Sequence, residues 1–337
     1  MVLRISSVLF GLSLLSACNA IFGIDDLGYD AASGGGAEGG AGGPSGNGGA
    51  SGSQGGGGNG GSGGAAPSDA GTDASAQAQP LALMIADLSI GANLLIALDA
   101  GDAASYDGSS QYWANTAPSG GTSFRRGSTD VVSDDDPTFR GTAGGLSAAE
   151  YFEFDGDDWF EAVQSGWGDQ SFHTATARVT IAAVAYSPSP SRFPFFCNSR
   201  AGTSGVTSTG VYYGCSATGV TSWYQEGDTN AGYQNTSTAT YSGGEWTFHA
   251  ITVTATGTNA FTFFTNTAVD TAIDQTENYG TGAADRPAAI GADGGGANRV
   301  PAGARIAMLA VWGRALTAAE LTSLYGRIRQ SRFPMLP

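Results

Sequence analysis

From about residue 81 to the C-terminus, short runs rich in Val, Ile, Thr, Phe and Tyr alternate with clusters of Gly, Ser, Asn and Asp. Apolar side chains at every second position give a strand one buried face, and the polar, glycine-rich clusters mark turns. Many short strands separated by such turns are typical of an antiparallel β-sandwich or barrel. The runs that carry this pattern are residues 93–101, 151–162, 172–187, 245–269 and 304–316.

Local spacing within the same region predicts particular turns and one helix. Asp155-Gly156 predicts a turn between two short strands, residues 256–259 predict a hairpin loop, and residues 304–316 predict a central strand. Thr317 and Glu320 have the spacing of a capping box, which begins a helix. Apolar residues then recur at helical spacing, at Leu321, Leu324, Tyr325 and Ile328.

The N-terminus has the pattern of an export signal. Arg4 supplies a positive charge, and residues 5–17 are mostly apolar or small. Thirteen helical residues span about 20 Å, less than the roughly 30 Å of a bilayer core, so a signal peptide is favoured over a membrane span. Residues 15–18 (LSAC) resemble the bacterial lipobox, which implies cleavage before Cys18 and a lipid on its sulfur. The alternative is an ordinary signal peptide with a chance cysteine.

The residue after this cysteine bears on sorting. Asn19 stands where the retention signal of inner-membrane lipoproteins has aspartate. The resemblance to sorted lipoproteins of Gram-negative bacteria implies the outer membrane.

A tether is predicted over residues 18–80, between a signal peptide at 1–17 and a folded domain at 81–337. Residues 34–64 contain 19 glycines in 31 positions, with almost no apolar side chain to offset the entropy of ordering. This composition predicts a disordered Gly-rich linker, and a coil of about 50 residues spans about 40 Å on average.

The net charge of the chain limits the kinds of ligand that it is expected to bind. The chain has 30 acidic residues against 14 basic residues, a net charge of −16. Such a balance argues against nucleic acid and against anionic lipid headgroups as ligands, because both would be repelled. It is compatible with neutral glycans or with divalent cations.

Four stretches, YFEFDGDDWF, GEWTFHAITVTATG, AAIGAD and RIAMLAVWGRALTAAELTSLYG, follow one another in an order and spacing that resemble the laminin G-like and concanavalin A-like jelly rolls. The likeness spans residues 93–326. It implies an all-β, antiparallel jelly-roll β-sandwich with one short C-terminal helix. In many members of this group the concave face or the rim loops bind carbohydrate, in some with Ca²⁺.

The other two cysteines of the chain, Cys197 and Cys215, both lie in strand-like sequence. An exported protein meets an oxidising compartment, so the sequence predicts a Cys197–Cys215 disulfide between neighbouring strands. Two buried thiols are the alternative.

Hydrolases share this fold, so the carboxylates near residue 153 are candidates for catalysis. Laminarinase-like glucanases have a Glu-x-Asp-x-x-Glu strand, and here Glu153 and Asp155 match its first half while Asp158 replaces the second glutamate. The shorter aspartate and the adjacent turn argue against a pair of carboxyls about 5 Å apart. His173 and His249 belong to no catalytic motif, and packing within a sheet or at the surface is the simpler role for both.

Two acidic runs could donate oxygens to calcium, residues 133–137 and residues 154–158. Neither has the order of an EF-hand loop. Asp157 and Asp158 are slightly better candidates for calcium ligands than Asp134–Asp136. Apart from this possible Ca²⁺, no cofactor is expected. Solvated turns are the alternative.

Sugar binding requires an exposed aromatic ring with polar neighbours. Trp167 and Trp223-Tyr224 lie in glycine-rich, polar surroundings, whereas Trp246 and Trp312 are expected in the core. The candidate ligand-binding residues are Trp167, Trp223, Tyr224, Gln225, Asp228 and Tyr233.

Together these patterns predict a non-catalytic surface lipoprotein whose jelly roll binds a glycan or a surface protein, with no nucleic-acid partner and with membrane contact through the N-terminal lipid only. A tethered glycoside hydrolase acting on a β-glucan through Glu153, and a purely structural or adhesive domain, are the alternatives.

Overall fold

A computed structural model describes residues 77–164, 167, 178–198, 210–226, 232–254, 257–275 and 286–337. It contains two described helices, α1 (Leu81–Asp87) and α2 (Ala318–Ser331). The strands are β1 (Leu94–Asp99), β2 (Tyr112–Trp113), β3 (Phe124–Arg126), β4 (Thr138–Arg140), β5 (Tyr151–Glu153), β6 (Phe160–Ala162), β7 (Val179–Tyr186), β8 (Phe193–Cys197), β9 (Val211–Cys215), β10 (Val220–Glu226), β11 (Gly232–Thr240), β12 (Trp246–Val253), β13 (Gly257–Thr265), β14 (Ala268–Gln275), β15 (Ala289–Ile290) and β16 (Arg305–Trp312).

These strands form two antiparallel sheets of eight strands each, which confirms the predicted sandwich. Sheet A has the order β14-β13-β12-β7-β16-β5-β4, and β1 also pairs with β16. Sheet B has the order β11-β10-β9-β8-β15-β6-β3-β2. The strand predicted to be central, β16, pairs with β7 along one edge and with β5 and then β1 along the other.

Alternation along the central strands of sheet A creates two apolar cores. Ile181 is in register with both Ile251 and Val311, and these three side chains lie in the core between the sheets. One position along, Ala182 is in register with Ala250 and Ala310 on the opposite face. Because alanines are small, this outer face can accept helices at close range, and α1 and α2 pack there.

The predicted capping box begins α2. Thr317 Oγ1 accepts a hydrogen bond from the Glu320 backbone N–H at 3.2 Å, and the Thr317 N–H donates to Glu320 Oε2 at 2.7 Å. The four predicted apolar residues are all buried against sheet A: Leu321, Leu324, Tyr325 and Ile328. No helix in the described part of the chain is both long and apolar enough to cross a bilayer.

Helix α1 is an element that the pattern did not predict. Its seven residues follow Pro80, and no side chain caps its first turn. Leu81, Met84 and Ile85 are buried in the outer core of sheet A. A helix this short has little stability of its own, so its formation depends on packing against α2 and β1.

The turn and hairpin predictions have different outcomes. Asp155-Gly156 forms the predicted turn, and Gly156 has a φ of +116°, which favours glycine. The hairpin of β12 and β13 is present, but β13 already begins at Gly257, inside the predicted loop. Continued pairing satisfies backbone groups that a loop would leave to water.

The predicted disulfide between Cys197 and Cys215 is contradicted by the structure, in which no bond joins the two buried residues. They do lie on neighbouring strands, but β8 and β9 pair Cys197 with Tyr212 and Cys215 with Phe193. Three residues along β9, or four along β8, separate the two positions by roughly 10–13 Å. A disulfide requires Cα atoms within about 7 Å, so the register forbids it.

A buried ion pair ties the beginning of this domain to its end. Arg332 Nη1 donates to both carboxylate oxygens of Asp99 at 2.6 Å, and both side chains are almost fully buried. Asp99 also accepts hydrogen bonds from the N–H groups of Leu81 and Gly101, at 2.9 Å each. A Cβ on Gly101 would overlap the Arg332 guanidinium, so this position requires glycine.

Candidate functional site

Two acidic segments meet at one end of sheet B. The turn at residues 155–158 connects β5 of sheet A to β6 of sheet B, and the loop at residues 127–136 follows β3. Arg126 of β3 is in register with Phe160 of β6, so the loop and the turn lie side by side. The Gly127 N–H donates to the Trp159 carbonyl at 2.8 Å, which ties the loop to the residue that follows the turn. We call residues 127–136 and 155–158 the acidic rim.

In the loop of the acidic rim, two carboxylates serve as internal hydrogen-bond acceptors. Asp135 accepts from Ser133 Oγ at 2.6 Å and from the Ser128 N–H at 2.9 Å. Asp136 accepts from the Ser133 N–H at 3.1 Å and from Gln111 Nε2 at 2.8 Å. Burial alone would raise the pKa of Asp135, but hydrogen bonds from Ser133 and Ser128 outweigh it and hold the pKa below its ordinary value. These two carboxylates therefore organise the loop itself.

In the turn of the acidic rim, three carboxylates converge. One oxygen from each of Asp155, Asp157 and Asp158 lies within 4.8 Å of the others. Asp155 and Asp157 are exposed, whereas Asp158 is only 1% exposed. Asp158 Oδ2 accepts from the Asp155 N–H at 2.7 Å, but its buried Oδ1 has no hydrogen-bond partner among the described residues.

The electrostatics of this turn favour a positive ligand. Burial raises the pKa of Asp158 to about 7, against the backbone hydrogen bond from Asp155 and with the charges of Asp155 and Asp157 adding to the effect. The Asp155 carboxylate likewise raises the pKa of Asp157, and Arg299 opposes this shift. Three carboxylates in one place repel one another, and carboxylate oxygens are the ligands that Ca²⁺ prefers. The residues present therefore fit a hard divalent cation.

The sequence predicted that residues 154–158 could donate oxygens to calcium, with Asp157 and Asp158 as the better candidates, and the structure adds Asp155 as the third carboxylate of the group. The Asp-Gly-Asp-Asp spacing of residues 155–158 forms a glycine turn in which the Asp155 N–H donates to the Asp158 carboxylate, and the three carboxylates lie close together.

Glu153, the candidate catalytic carboxylate, is held between two arginines. Its Oε1 lies 3.0 Å from Arg140 Nη2, and its Oε2 lies 3.0 Å from Arg305 Nε. Thr138 and Arg305 are its register partners on the two neighbouring strands. The side chain thus acts as a cross-strand ion-pair partner within sheet A.

Of the two histidines, His249 is described and His173 lies outside the described residues. His249 is 2% exposed, stacks on Phe195 with ring centroids 4.9 Å apart, and places Nε2 3.8 Å from Cys215 Sγ. Burial lowers the pKa of His249 to about 3 and raises the pKa of Cys215. Both groups are therefore neutral at pH 7, unlike the ion pair that activates a thiol nucleophile.

The aromatic candidates do not form one surface. The expectation that Trp223 is exposed is wrong: its side chain is fully buried between the sheets, 6.3 Å from Phe261 between ring centroids. Trp167 is half-buried and meets Phe196 edge-on, with centroids 5.9 Å apart. Tyr224, next to Trp223 on β10, is also half-buried.

The remaining aromatic and polar candidates differ in how far they are described. Strand register pairs Gln225 of β10 with Tyr233 of β11, and Asp228 lies outside the described residues. Trp246 and Trp312 are buried in the outer core of sheet A, which confirms the expectation that both belong to the core.

Comparison with known families agrees with this architecture. Residues 154–322, half of the chain, match the model of the concanavalin A-like lectin/glucanase superfamily. The chain belongs to this superfamily. No curated protein matches the sequence.

Solved structures to which this chain is similar include the following three. The binding domain of Paraclostridial Mosquitocidal Protein 1 has a TM-score of 0.48 and 13% identity over 70% of this chain. A botulinum neurotoxin type C structure, which concerns cell entry through two ganglioside molecules, has a TM-score of 0.49 and 10% identity over 71%. A botulinum neurotoxin DC binding domain in complex with rat synaptotagmin II has a TM-score of 0.48 and 12% identity over 70%. The alignment covers 52% of each of these three chains, so the likeness concerns about half of their length.

Proposed function

We propose that this chain is a non-catalytic binding protein, anchored to the outer membrane by a lipid on Cys18, whose jelly roll binds a glycan or a surface protein. Residues 18–80 serve as the tether that holds the domain away from the membrane. The superfamily includes both lectins and glucanases, so membership leaves binding and hydrolysis to be distinguished.

The environment of Glu153 is the observation that favours binding over hydrolysis. A retaining glycosidase needs one carboxylate as nucleophile and a second as acid, about 5–5.5 Å apart and facing the substrate. Both oxygens of Glu153 instead contact guanidinium groups, of Arg140 and Arg305. A carboxylate held in this way is a poor nucleophile, because attack on a sugar would require breaking both ion pairs.

Lipid attachment is tested by metabolic labelling. Cells that express the full chain are grown with radiolabelled palmitate, and we expect label in the wild-type chain and none in a Cys18→Ser variant. A Cys215→Ser variant is the control for labelling of another cysteine. Equal labelling of wild type and Cys18→Ser would remove the anchor from the proposal.

Ligand binding is tested by presenting the full chain to an array of neutral and acidic oligosaccharides. We expect binding to neutral glycans and a loss of at least about tenfold on Trp167→Ala, since stacking of a sugar on an aromatic ring is worth about 1–3 kcal/mol by analogy with bases. Trp223→Ala is a poor test, because removal of a buried tryptophan costs about 3–5 kcal/mol of stability by itself.

The outcomes of the array separate the candidate functions. A blank array with an intact melting transition would favour a protein partner. Release of reducing sugar from a β-glucan, abolished by Glu153→Gln, would contradict the non-catalytic proposal and support the hydrolase alternative.

A further inference from the structure

The connection between α1 and β1 contains backbone strain near both of its ends. Residues 88–93 join the two elements, and within them Ser89 and Asn93 have φ values of +57° and +58°. These are two of the five non-glycine residues with positive φ in the described part of the chain. This conformation costs an L-residue about a factor of ten in its local equilibrium, and asparagine tolerates it better than serine does. The strain is therefore concentrated at Ser89.

Ser89 occupies the position at which many helices end in glycine. Its N–H donates to the Ala86 carbonyl at 2.9 Å, and the Ile90 N–H donates to the Ile85 carbonyl at 3.1 Å. These are the two hydrogen bonds of a Schellman motif, in which the left-handed residue is usually glycine. Ile85 and Ile90 are both buried in the outer core of sheet A. Their burial holds Ser89 in a conformation that glycine adopts without strain.

Side chains of β16 and of the loop after it also hold this connection. Trp312 Nε1 donates to the Ile90 carbonyl at 2.9 Å, and Arg314 Nε donates to the Ala92 carbonyl at 3.0 Å. The connection is folded back, so that α1 contacts β1. Six residues span about 20 Å when they are extended. An extended connection would release the strain and carry α1 away from its own domain.

Helix α1 itself is weakly held. Its buried side chains cover a strip of the outer face of sheet A, beside β1 and α2, which we call the α1 groove. Its polar contacts include the hydrogen bond from the Leu81 N–H to Asp99 Oδ2 at 2.9 Å and the ion pair of Asp87 with Arg327 at 3.8 Å. Leu81 also borders a small apolar cavity above the alanines of sheet A, so the packing there is incomplete. A seven-residue helix of this kind has a low free energy of local unfolding.

We propose that α1 is exchanged between two copies of this chain. The helix leaves its own α1 groove and fills the groove of a second copy, which returns its helix in the same way. Helix and groove are identical in both copies, so the contacts of α1 are remade across the dimer, whereas the strain at Ser89 is released twice. No strand has to unpair, because α1 precedes β1 and belongs to neither sheet. A second copy fits the groove because the groove already binds this helix.

The test measures the oligomeric state and needs neither glycan nor lipid, so its failure would leave the proposed function untouched. The full chain is purified with Cys18→Ser in every sample, so that no acyl chain can associate the copies. Its mass is measured by sedimentation between about 1 µM and about 1 mM. A helix on a short connection has an effective concentration of the order of 1 mM at its own groove. Tenfold release of strain in each of two chains therefore places half-dimerisation near about 10 µM.

Matched glycine substitutions test whether strain at the connection drives the exchange. Ser89→Gly removes the strain from the monomer at an exposed position, so folding should be retained. We expect the dissociation constant of the dimer to rise at least about tenfold, because the released strain no longer favours the dimer. Asn266→Gly is the control. Asn266 has a similar φ of +54° but lies in the turn between β13 and β14, so its substitution should leave dimerisation unchanged.

Cross-linking distinguishes helix exchange from any other dimer. One sample carries Asp87→Cys in α1 and a second carries Arg327→Cys in α2, at positions whose side chains lie 3.8 Å apart in the folded domain. Cys197 and Cys215 are buried and therefore shielded from the reagent. The samples are mixed at about 1 mM, diluted and treated with a short bis-maleimide. We expect a covalent dimer of the two different chains, and none in a mixture kept at about 1 µM throughout.

Three results would overturn the proposal: a monomer at every concentration, a dimer that Ser89→Gly weakens no more than Asn266→Gly does, or a dimer without the mixed cross-link. The first would mean that α1 stays in its own groove, the second that strain at the connection does not drive association, and the third that another surface joins the copies.

Discussion

At the scale of single residues, His249 illustrates how burial decides chemistry. Its ring lies between Phe195 and Tyr241, with centroid distances of 4.9 and 5.5 Å, and its Nδ1 has no hydrogen-bond partner among the described residues. Protonation in this position would place a charge in an apolar site without a compensating acceptor, which is why the pKa falls to about 3.

The lowered pKa of His249 predicts a specific pH dependence of stability. In the unfolded chain this histidine has a pKa near 6.5, so between about pH 6.5 and pH 3 the unfolded state binds one proton more than the folded state. The free energy of unfolding should therefore fall as the pH falls through this window, with a contribution approaching about 1.4 kcal/mol per pH unit.

The measurement compares urea unfolding of wild type and His249→Gln from pH 7 to pH 4. The carboxylates titrate alike in both, so the difference between the two curves isolates His249. We expect the wild-type curve to be the steeper one, and parallel curves would show that the histidine is not kept neutral by the fold.

Residue identity alone could predict the chemistry of a side chain here but not its exposure. Trp223 and Trp167 both lie in polar, glycine-rich sequence, and only the structure shows that the first is buried between the sheets. The same holds for Asp158 and Asp134. Each lies next to other aspartates in the sequence, but only Asp158 is buried. Burial depends on which strands cover a position, and those strands are distant in sequence.

At the scale of elements, α2 was predictable because its signals are local. The capping box spans four residues and the apolar stripe recurs within three turns, so both can be read without knowing what the helix contacts. Glu320 has a second role, since its Oε1 lies 2.8 Å from Arg314 Nη2, and this hydrogen bond together with the cap lowers the pKa of Glu320 to about 2.

The capping box predicts the cost of removing it. Thr317→Ala leaves the Glu320 N–H without its side-chain acceptor and should lower the free energy of unfolding by about 1 kcal/mol, as measured by urea denaturation. Ser323→Ala, an exposed change within the same helix, is the control and should stay within about 0.5 kcal/mol of wild type. Equal effects of both changes would argue against the cap.

The strands of sheet A were predictable for a related reason. Side chains alternate with a period of two, so the register row of Ile181, Ile251 and Val311 faces the inner core and the adjacent row of Ala182, Ala250 and Ala310 faces the helices. The start of β13 was less predictable. Its first residue, Gly257, pairs with Gln275 of β14 and not with β12, the other strand of the predicted hairpin.

At the scale of the whole molecule, the Asp99–Arg332 pair connects segments that are 233 residues apart. It joins the start of α1, the end of β1 and the end of α2, and Arg332 Nη2 also donates to the Ser147 carbonyl at 3.2 Å. Two buried charges are stable together only because each satisfies the other, so removal of one partner leaves an uncompensated charge in the interior.

This pair predicts a large effect from a single change. Arg332→Met should lower the free energy of unfolding by about 3–5 kcal/mol, measured by urea denaturation of the full chain. Arg327→Met, within the last turns of α2, is the matched control: Arg327 lies 3.8 Å from the exposed Asp87, and its loss should cost less than about 1 kcal/mol. Similar losses in the two variants would show that the buried pair is no more important than a surface one.

By itself, the sequence determined the antiparallel sandwich and α2, because alternation and capping depend on residues within a few positions of one another. Only the tertiary structure decided the register that separates Cys197 from Cys215, the burial of Trp223, and the packing that makes α1 a helix. It also decided which acidic run has an unsatisfied carboxylate, at Asp158. These outcomes depend on contacts between segments far apart in the chain. Such contacts do not change the local spacing of apolar and polar residues, so the sequence pattern does not predict them.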